Sequence, residues 1–347
     1  MTTSKSKNIA IIGAGMAGVV CARTLTQAGH KVTLFEKSRG MGGRMATRTS
    51  DFGTFDHGAQ YFTVRDPRFA LALETVPGLC RPWSATHVQV LDELGRVTEP
   101  GSPAKDKHWI PTPGMKSLVS TWAQPLVEQH KVELETRVTR LERDAVNAQQ
   151  WQLRTEGPND AQHVFSGFDT VLLAMPSVQA RELLKVSKQA TKFSKQLEKV
   201  RVAPCWTLMV AFPQAMQPTT LGPQWNAARS THHRINWLAR ETSKPGRSSV
   251  ERWTVQASAA WSQEHLNDDP ERVQAKLLRA FSEVTGIRAV PTHVDIQRWS
   301  YAKTIQPLGQ SHLWDAKTGL GVCGDWCLGH RVEDAFVSGL ELALAAV

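Results

Sequence analysis

The chain has 347 residues, of which 41% are hydrophobic and 21% charged, so it has material for a sizeable core and a length typical of about two domains. No stretch approaches the roughly 18 consecutive apolar residues of a membrane helix, which predicts a soluble globular protein. The formal net charge of +9 favours anionic partners such as nucleic acid, a membrane surface or a phosphorylated small molecule. Because the basic residues are spread along the chain and form no recognisable nucleic-acid motif, we expect neither nucleic acid nor a membrane as partner.

The cysteines and the N-terminal segment help to predict the cellular compartment of the protein. The five cysteines are odd in number and show no paired C-x-x-C spacing, which argues against a disulfide framework and a zinc site. Lys5 and Lys7, followed by an apolar run, imitate a secretory signal, but the glycine spacing inside that run is more typical of a first strand and helix. We therefore expect a cytoplasmic protein without a bound metal.

The first predicted unit, NIAIIGAGMAGVVCARTLTQAGHKVTLFEKS, has the order strand, tight turn, helix, strand. Residues 9–12 form a continuous apolar run that suits a buried parallel strand. The helix should run to Ala28, with Gly29 ending it, and residues 32–35 form the second strand. This order is that of a dinucleotide-binding fold.

The residues between these elements predict a nucleotide site. Gly13 permits the sharp turn, Gly15 lets the backbone approach a pyrophosphate, and Gly18 lets the helix lie close to the strand. Glu36, at the end of the second strand, can accept hydrogen bonds from the adenosine ribose and would repel a 2′-phosphate. The contacts expected from this unit are Gly13, Ala14, Gly15, Gly18, Glu36 and Lys37.

The loop after the second strand indicates whether the nucleotide site holds FAD or NAD. KSRGMGGRM places three glycines and Arg44 where a simple NAD dehydrogenase would enter its next helix. A glycine-rich loop ending in arginine can wrap a pyrophosphate, with the planar guanidinium as a fork of donors. We therefore predict FAD, with Gly43 and Arg44 among its contacts; the alternative is a flexible loop with a solvated arginine.

Later segments have weaker patterns. The alternation in VELETRVTRLERD indicates an exposed strand pair around Val138, which WQLRTEG continues. Residues 170–174 suit a buried strand, residues 250–260 a further strand, and residues 269–284 an amphipathic helix.

A second G-x-G-x-x-G match occurs near the C-terminus, in TGLGVCGDWCLGHRVEDAF. Here the first two glycines lie before or within the apolar stretch 320–323, so the order of strand and glycines is wrong for a dinucleotide fold. The stretch suits a strand that ends in Gly324 and Asp325, with Asp325 accepting from a ribityl hydroxyl of FAD. A helix that begins near Val332 would direct its N–H groups at the flavin N1–C2=O edge.

Several segments together resemble the renalase family of flavin-dependent, amine-oxidase-type proteins. GAGMAG, Glu36 and GGRM are typical of the wider superfamily, and DFGTFDHGAQYFTVRDPRF closely resembles the region after the GGR motif in renalase and its bacterial relatives. APCWTLMVAF, AAWSQEHL, RWSYA and CGDWCLGHRVEDAFVSGLELA are also similar. These matches are spread over most of the chain, although residues 80–107 and 186–200 match nothing in the family.

The resemblance implies a bilobal α/β (α+β) flavoprotein fold like that of p-hydroxybenzoate hydroxylase and monoamine oxidase. A Rossmann-type FAD domain would be discontinuous, made of residues 1–75, 108–185 and 315–347, with a sheet-and-helix substrate domain of residues 76–107 and 186–314. FAD would be noncovalent, so no link to Cys327 is expected. The FAD contacts of the family carry over to Ala17, Arg44, Gln60 and Tyr61, with Val138 as a backbone contact to adenine.

The resemblance also implies a reaction. Isomers of reduced β-NAD(P) that carry the hydride at nicotinamide C2 or C6 would transfer it to flavin N5, and O2 would reoxidise the flavin to give H2O2 and β-NAD(P)+. The partners would be this dihydronicotinamide and O2. The candidates for shaping the pocket are His57, Trp299 and Tyr301, although His57 also suits a structural role and the two aromatics suit core packing.

Two other functions stay open. A flavin amine oxidase typically flanks its flavin with two tyrosines, and this chain has only Tyr61 and Tyr301, although tryptophan can substitute. The third hypothesis is an FAD-binding protein without catalytic activity.

Overall fold

The computed structural model describes residues 6–83, 88–99, 106–215 and 222–347, and two large sheets organise it. The six-stranded sheet has the order β19-β20-β13-β1-β2-β9. Its strands are β1 (Asn8–Ile12), β2 (Lys31–Phe35), β9 (Val132–Glu133), β13 (Thr170–Leu173), β19 (Leu313–Asp315) and β20 (Leu320–Val322). All neighbouring strands pair in parallel except β19 and β20.

The seven-stranded sheet has the order β18-β14-β17-β16-β15-β6-β7, and its pairs are antiparallel except β15 with β6. Its strands are β6 (Gln89–Leu91), β7 (Val97–Glu99), β14 (Arg201–Phe212), β15 (Ala227–Ser230), β16 (Ile235–Arg240), β17 (Glu251–Ala257) and β18 (His293–Gln306). Three smaller sheets contain the strands β3 (Thr47–Ser50), β4 (Gly53–Asp56), β5 (Cys80–Pro82), β8 (Trp109–Pro111), β10 (Arg137–Arg143), β11 (Trp151–Glu156) and β12 (Gln162–Phe168).

The α-helices of the described residues are α1 (Met16–Gln27), α2 (Pro67–Glu74), α3 (Lys116–Glu128), α4 (Ser177–Val186), α5 (Thr191–Leu197), α6 (Ala259–Glu264), α7 (Pro270–Thr285) and α8 (Val332–Ala346). Helices α1, α3 and α8 share one hydrophobic core with β1 and β2, and α7 covers one face of the seven-stranded sheet. Within the described ranges, no helix combines the length and the apolar character needed to cross a bilayer.

Most predicted elements are confirmed. The first strand, helix and second strand lie at β1, α1 and β2, and the C-terminal stretch is β20 followed by α8. The amphipathic helix is α7, for which Asp269 is the N-cap and accepts from Arg272 N, while Gly286 ends the helix at φ +73°.

Two predictions need correction. The strand expected over residues 250–260 ends at Ala257, because the Ser258 hydroxyl accepts from Trp261 N and caps helix α6. Of the strands expected around Val138, β10 pairs with β11, whereas β9 joins the six-stranded sheet beside β2. The division into an FAD domain and a substrate domain at the residues given above stays a prediction.

The parallel strands position the candidate site. Strands β1, β2, β13 and β20 run in the same direction, so their carboxyl ends meet at one edge of the sheet. Gly13 follows β1, Glu36 follows β2, and Gly324 lies two residues after β20. Ligands of open parallel sheets bind at this edge.

Candidate functional site

A cavity of about 1850 Å³ opens at the carboxyl edge of the six-stranded sheet and extends beneath the seven-stranded sheet. It exceeds the roughly 300–1,000 Å³ of an ordinary small-molecule pocket, so it has room for more than one bound molecule. We call the lining residues within 12–17, 35–46 and 324–332 the nucleotide wall. Those within 203–205, 229–237, 256–259 and 297–305 form the sheet wall, and residues 57–61 lie between them.

The glycines of the nucleotide wall leave a cradle for a ligand. Gly13 has φ +112°, and a Cβ there would lie 2.4 Å from Ala174 O, so only glycine makes this turn. A Cβ at Gly15 would have one neighbour within 4 Å, the Gly43 Cα at 3.9 Å, so this position is not crowded by other atoms of the chain. The N-terminus of α1 begins at Met16, so its free N–H groups and positive dipole end lie beside this space.

Glu36 is buried and held in a fixed orientation. Its carboxylate accepts from Ala14 N and from Ser38 N, each at 2.9 Å. This places an acid beside the glycine turn, where it suits a ribose hydroxyl. Lys37 and Val138 also line the cavity near this end.

Arg44 and Asp325 form a bidentate ion pair across the nucleotide wall. Arg44 lies in a 3-10 turn (Gly43–Met45), and its Nη1 and Nη2 donate to the two Asp325 carboxylate oxygens at 2.9 and 2.5 Å. The side chains are 28% and 7% exposed, so the pair is only partly open to solvent. The sequence predicts that Arg44 contacts the pyrophosphate and Asp325 the ribityl chain of FAD; in the structure the two side chains contact each other, and both line the cavity.

The end of the nucleotide wall is the start of α8. Gly324 N donates to Ser338 Oγ at 2.9 Å, which ties the loop after β20 to the helix. Val332 is the first residue of α8 and lines the cavity, so the helix N-terminus lies at this wall. Cys327 is fully buried in the hydrophobic core.

Gln60 contacts a buried charge network that no sequence pattern predicted. Lys244 Nζ donates to Gln60 Oε1 at 3.2 Å, to Asp56 at 3.2 Å and to Glu241 at 2.8 Å, and its side chain is fully buried. Arg247 also contacts Asp56. Burial alone would raise the pKa of Asp56, but Lys244 and Arg247 outweigh it and hold that pKa below its usual range. Lys244 and Arg247 lie in the segment ETSKPGR, which has no hydrophobic periodicity. The one sequence feature that could have indicated a role for them is their positive charge beside Pro245-Gly246.

His57 lies against the sheet wall. Its ring stacks on Trp299 at 5.2 Å between centroids, and Trp299 Nε1 donates to His57 O at 2.9 Å. Burial, with a smaller contribution from the Arg48 charge, lowers the pKa of His57 to about 4, against the opposing carboxylates of Asp56 and Asp295. His57 is therefore neutral at pH 7 and a weak base.

The two tyrosines lie in different surroundings. Tyr61 stacks on His108 at 3.8 Å and contacts Trp237 with ring centroids 5.9 Å apart. Tyr301 is on β18, and burial together with the Glu182 charge raises the pKa of its phenol. Both side chains line the cavity, but among the described residues no ring contact joins them.

These residues fit FAD. The open cradle beside Gly15 suits a pyrophosphate, Glu36 suits a ribose, and the N-termini of α1 and α8 supply N–H donors at two points of one wall. Residues that would hold the cofactor are those predicted from the sequence, all of which except Ala14 and Gly18 line the cavity. Ala14 N donates to Glu36, and a Cβ at Gly18 would lie 1.9 Å from Gly13 O, so both shape the turn. The individual FAD contacts stay predictions.

Comparisons with known families agree with this geometry. A family model described as flavin containing amine oxidoreductase matches residues 102–346, and one described as NAD(P)-binding Rossmann-like domain matches residues 11–73. The flavin-containing monooxygenase FMO GS-OX-like 6 of Arabidopsis thaliana is 28% identical over 162 residues, which are 43% of this chain and 30% of that protein. The chain spans less than a third of the length of the curated relatives that it matches.

Two solved structures share the fold over 98% of both chains. A protein from Exiguobacterium sp. 255-15, provisionally assigned as a protoporphyrinogen oxidase, has a TM-score of 0.73 at 15% identity. Cyclohexylamine oxidase from Brevibacterium oxydans IH-35A has a TM-score of 0.72 at 14% identity. These likenesses confirm the predicted α/β flavoprotein fold, and the family matches confirm FAD as the cofactor. The narrower likeness to renalase stays a prediction.

Proposed function

The chain belongs to the family of flavin-containing amine oxidoreductases, and on that premise we propose that it oxidises isomeric dihydronicotinamides, the 2- and 6-dihydro forms of NAD(P). Bound FAD would supply a hydride acceptor at N5 and a two-electron reductant for O2, so that the transferred hydrogen and one proton from solvent would appear in H2O2. The substrate leaves as β-NAD(P)+. The renalase-like segments of the sequence support this choice of substrate.

The charge of the cavity is the observation that carries the proposal. The basic lining residues are Lys37, Arg44, Arg137, Arg229, Arg298, Lys303 and Arg331, and the acidic ones are Glu36, Glu182 and Asp325. Glu36 is held by backbone N–H groups, and Asp325 and Arg44 neutralise each other in their ion pair. The described part of the sheet wall contributes three basic residues and no Asp or Glu. Such a cavity attracts a pyrophosphate-bearing substrate and disfavours a protonated amine.

The rest of the site suits hydride transfer. This step needs the reacting atoms held about 3–3.5 Å apart in a water-poor space more than it needs an acid or base. His57, with its pKa lowered to about 4, is a poor base, and its stacking with Trp299 gives the sheet wall a rigid aromatic surface instead. Tyr61 and Trp237 add a second aromatic surface beside Gln60. These residues orient the ring and exclude water.

Product analysis in air tests the proposal. The FAD-loaded protein is mixed with borohydride-reduced NAD, which contains the 2- and 6-dihydro isomers, and H2O2 and β-NAD+ are measured. We expect the two products in equal amounts, and little turnover with ordinary 4-dihydro NADH. Peroxide formed from amines, but not from the isomers, would contradict the proposal.

The second candidate function is that of a flavin amine oxidase. It is favoured by the fold shared with cyclohexylamine oxidase and by aromatic side chains on the sheet wall. Against it, the sheet wall carries positive charge that repels an ammonium group. A panel of primary amines in the same peroxide assay distinguishes the two functions.

A further inference from the structure

We propose that Arg229 is a specificity-determining residue that binds a phosphate group of the substrate. This inference rests on the proposed function, because it assigns one end of a nucleotide-type substrate to a residue of the sheet wall. The reacting ring would then lie towards the aromatic surface formed by Tyr61 and Trp237.

The strand register places Arg229 on the cavity side of the sheet. Arg229 pairs with Trp237 on β16, Trp237 with Gln256 on β17, and Gln256 with Thr207 on β14. Directly opposed residues of neighbouring strands point to the same face. Arg229, Trp237 and Gln256 therefore form one row, and all three line the cavity.

Arg229 is the charged member of this row, and its side chain has no partner among the described residues. Gln256 Nε2 donates to Gly58 O at 2.7 Å, and Trp237 contacts the Tyr61 ring. Within the described chain, the Arg229 guanidinium makes no hydrogen bond, ion pair or ring contact, and the residue is exposed to the cavity. A guanidinium presents a planar fork of donors that matches two phosphate oxygens.

Among the described side chains, no carboxylate forms an ion pair with the Arg229 guanidinium. The pKa of His108 is lowered by burial and then by the Arg229 charge, so this neighbouring imidazole is neutral. The acid close to His108 is Asp106, and Arg65 engages it, with Arg65 Nε donating to Asp106 Oδ2 at 3.0 Å. Arg229 thus lies beside the Tyr61–His108 stack, as a cation without an ion-pair partner in the described part of the chain, which suits a phosphate linked to a planar ring.

Binding of ADP-ribose to the FAD-loaded protein tests this assignment without any turnover. Perturbation of the flavin absorbance reports its affinity in wild type, Arg229→Gln, Arg229→Lys and Arg272→Gln. Arg272 is an exposed residue of α7, on the opposite face of the same sheet, so its variant makes the same charge change outside the cavity. We expect Arg229→Gln to weaken binding about tenfold or more, Arg229→Lys to weaken it less, and Arg272→Gln to leave it unchanged.

A pair of substrates adds a kinetic measurement. The dihydro isomers of NAD and of nicotinamide riboside share the reacting ring, but only the first carries phosphate. Arg229→Gln should raise the concentration for half-maximal flavin reduction about tenfold for the dinucleotide and less than about twofold for the riboside, with the limiting rate unchanged.

The failures of the two proposals are distinguishable. If the isomers do not reduce the flavin of the wild type, the proposed function is wrong, and the ADP-ribose measurement still decides the role of Arg229. If wild type binds neither ADP-ribose nor 2′-phospho-ADP-ribose, or if Arg229→Gln and Arg272→Gln bind both ligands equally, the phosphate assignment is overturned. A loss seen only with 2′-phospho-ADP-ribose supports a phosphate subsite at Arg229 and assigns it to the 2′-phosphate.

Discussion

The two walls of the cavity are built from different parts of the chain. The nucleotide wall contains glycine turns and two helix N-termini around Glu36 and the Arg44–Asp325 pair. The sheet wall consists of side chains projected in rows by antiparallel strands, such as Arg229, Trp237 and Gln256. We expect the nucleotide wall to hold the cofactor that the family shares, and the side chains of the sheet wall to select the substrate. Changes in one wall should therefore affect FAD, and changes in the other the substrate.

The largest effect is expected from Gly13→Ala, which disrupts the nucleotide wall. Its Cβ would lie 2.4 Å from Ala174 O at φ +112°, so the turn after β1 must move. We expect the purified protein to lose FAD, measured as flavin absorbance per chain. Gly29→Ala is the matched control, because it has φ +86° but open space around its Cβ. Equal FAD content in the two variants would contradict the prediction that the glycine turn at Gly13 forms part of the FAD site.

His57→Gln probes the junction with the sheet wall. The pKa of His57 is about 4 in the folded protein against 6.5 for an ordinary histidine, so the unfolded chain binds the proton more tightly. Stability from this residue is present above pH 6.5 and falls by about 3 kcal/mol as the pH drops towards 4. Urea unfolding at pH 7 and pH 4 should show this loss in wild type and not in the variant.

His163→Gln serves as the control for that series, since His163 is exposed on β12. Its pH dependence should follow that of the wild type. A His57→Gln protein that loses as much stability as wild type between pH 7 and pH 4 would show that burial does not depress the His57 pKa.

Arg44→Ala removes the cation of the pair in the nucleotide wall and leaves the Asp325 carboxylate, which is 7% exposed, without its partner. We expect FAD affinity to fall about tenfold to a hundredfold, and less in high salt. Arg48→Ala breaks a similar ion pair, with Asp295, outside the cavity lining, and should retain FAD. Dialysis against FAD at several concentrations measures the FAD affinity of both variants. Equal losses of affinity would show that Arg44 does not contact the cofactor.

The smallest effect is expected from Gly321→Ala in the second glycine match. A Cβ there would lie 2.7 Å from Leu342 Cδ1 and 2.9 Å from Leu172 Cδ2, so this glycine serves packing between β20 and α8. The substitution should lower the free energy of unfolding by about 1 kcal/mol, because flexible side-chain ends can shift. FAD content should stay at the wild-type level, and its loss would show that both glycine matches serve the cofactor.

The sequence predicted the nucleotide wall well for a physical reason. Gly13, Gly15 and Gly18 follow a strand and extend into a helix, whereas Gly319 precedes β20 and Gly321 lies inside it. The position of the glycines relative to the strand therefore distinguished two matches to the same G-x-G-x-x-G pattern. The pairing of Arg44 with Asp325 was not predictable, because 281 residues separate them and no local pattern encodes the contact.

The sheet wall was mostly beyond prediction. Trp299 and Tyr301 were found through the resemblance of RWSYA, but Arg229, Trp237 and Gln256 meet only through strand register, which the sequence does not specify without the pairing partners. Lysine is usually exposed, so its residue type predicts that Lys244 lies at the surface. Only the fold shows that its side chain is fully buried against Asp56 and Glu241.

Anaerobic rapid mixing of the FAD-loaded protein with a single dihydronicotinamide isomer tests the central claim most directly. With 6-dihydro-NAD, we expect the oxidised flavin absorbance to bleach within seconds, with one β-NAD+ formed per flavin, while ordinary 4-dihydro NADH bleaches it far more slowly. Bleaching by amines, with no reduction by either the 2- or the 6-dihydro isomer, would contradict the account and assign the cavity to amine oxidation.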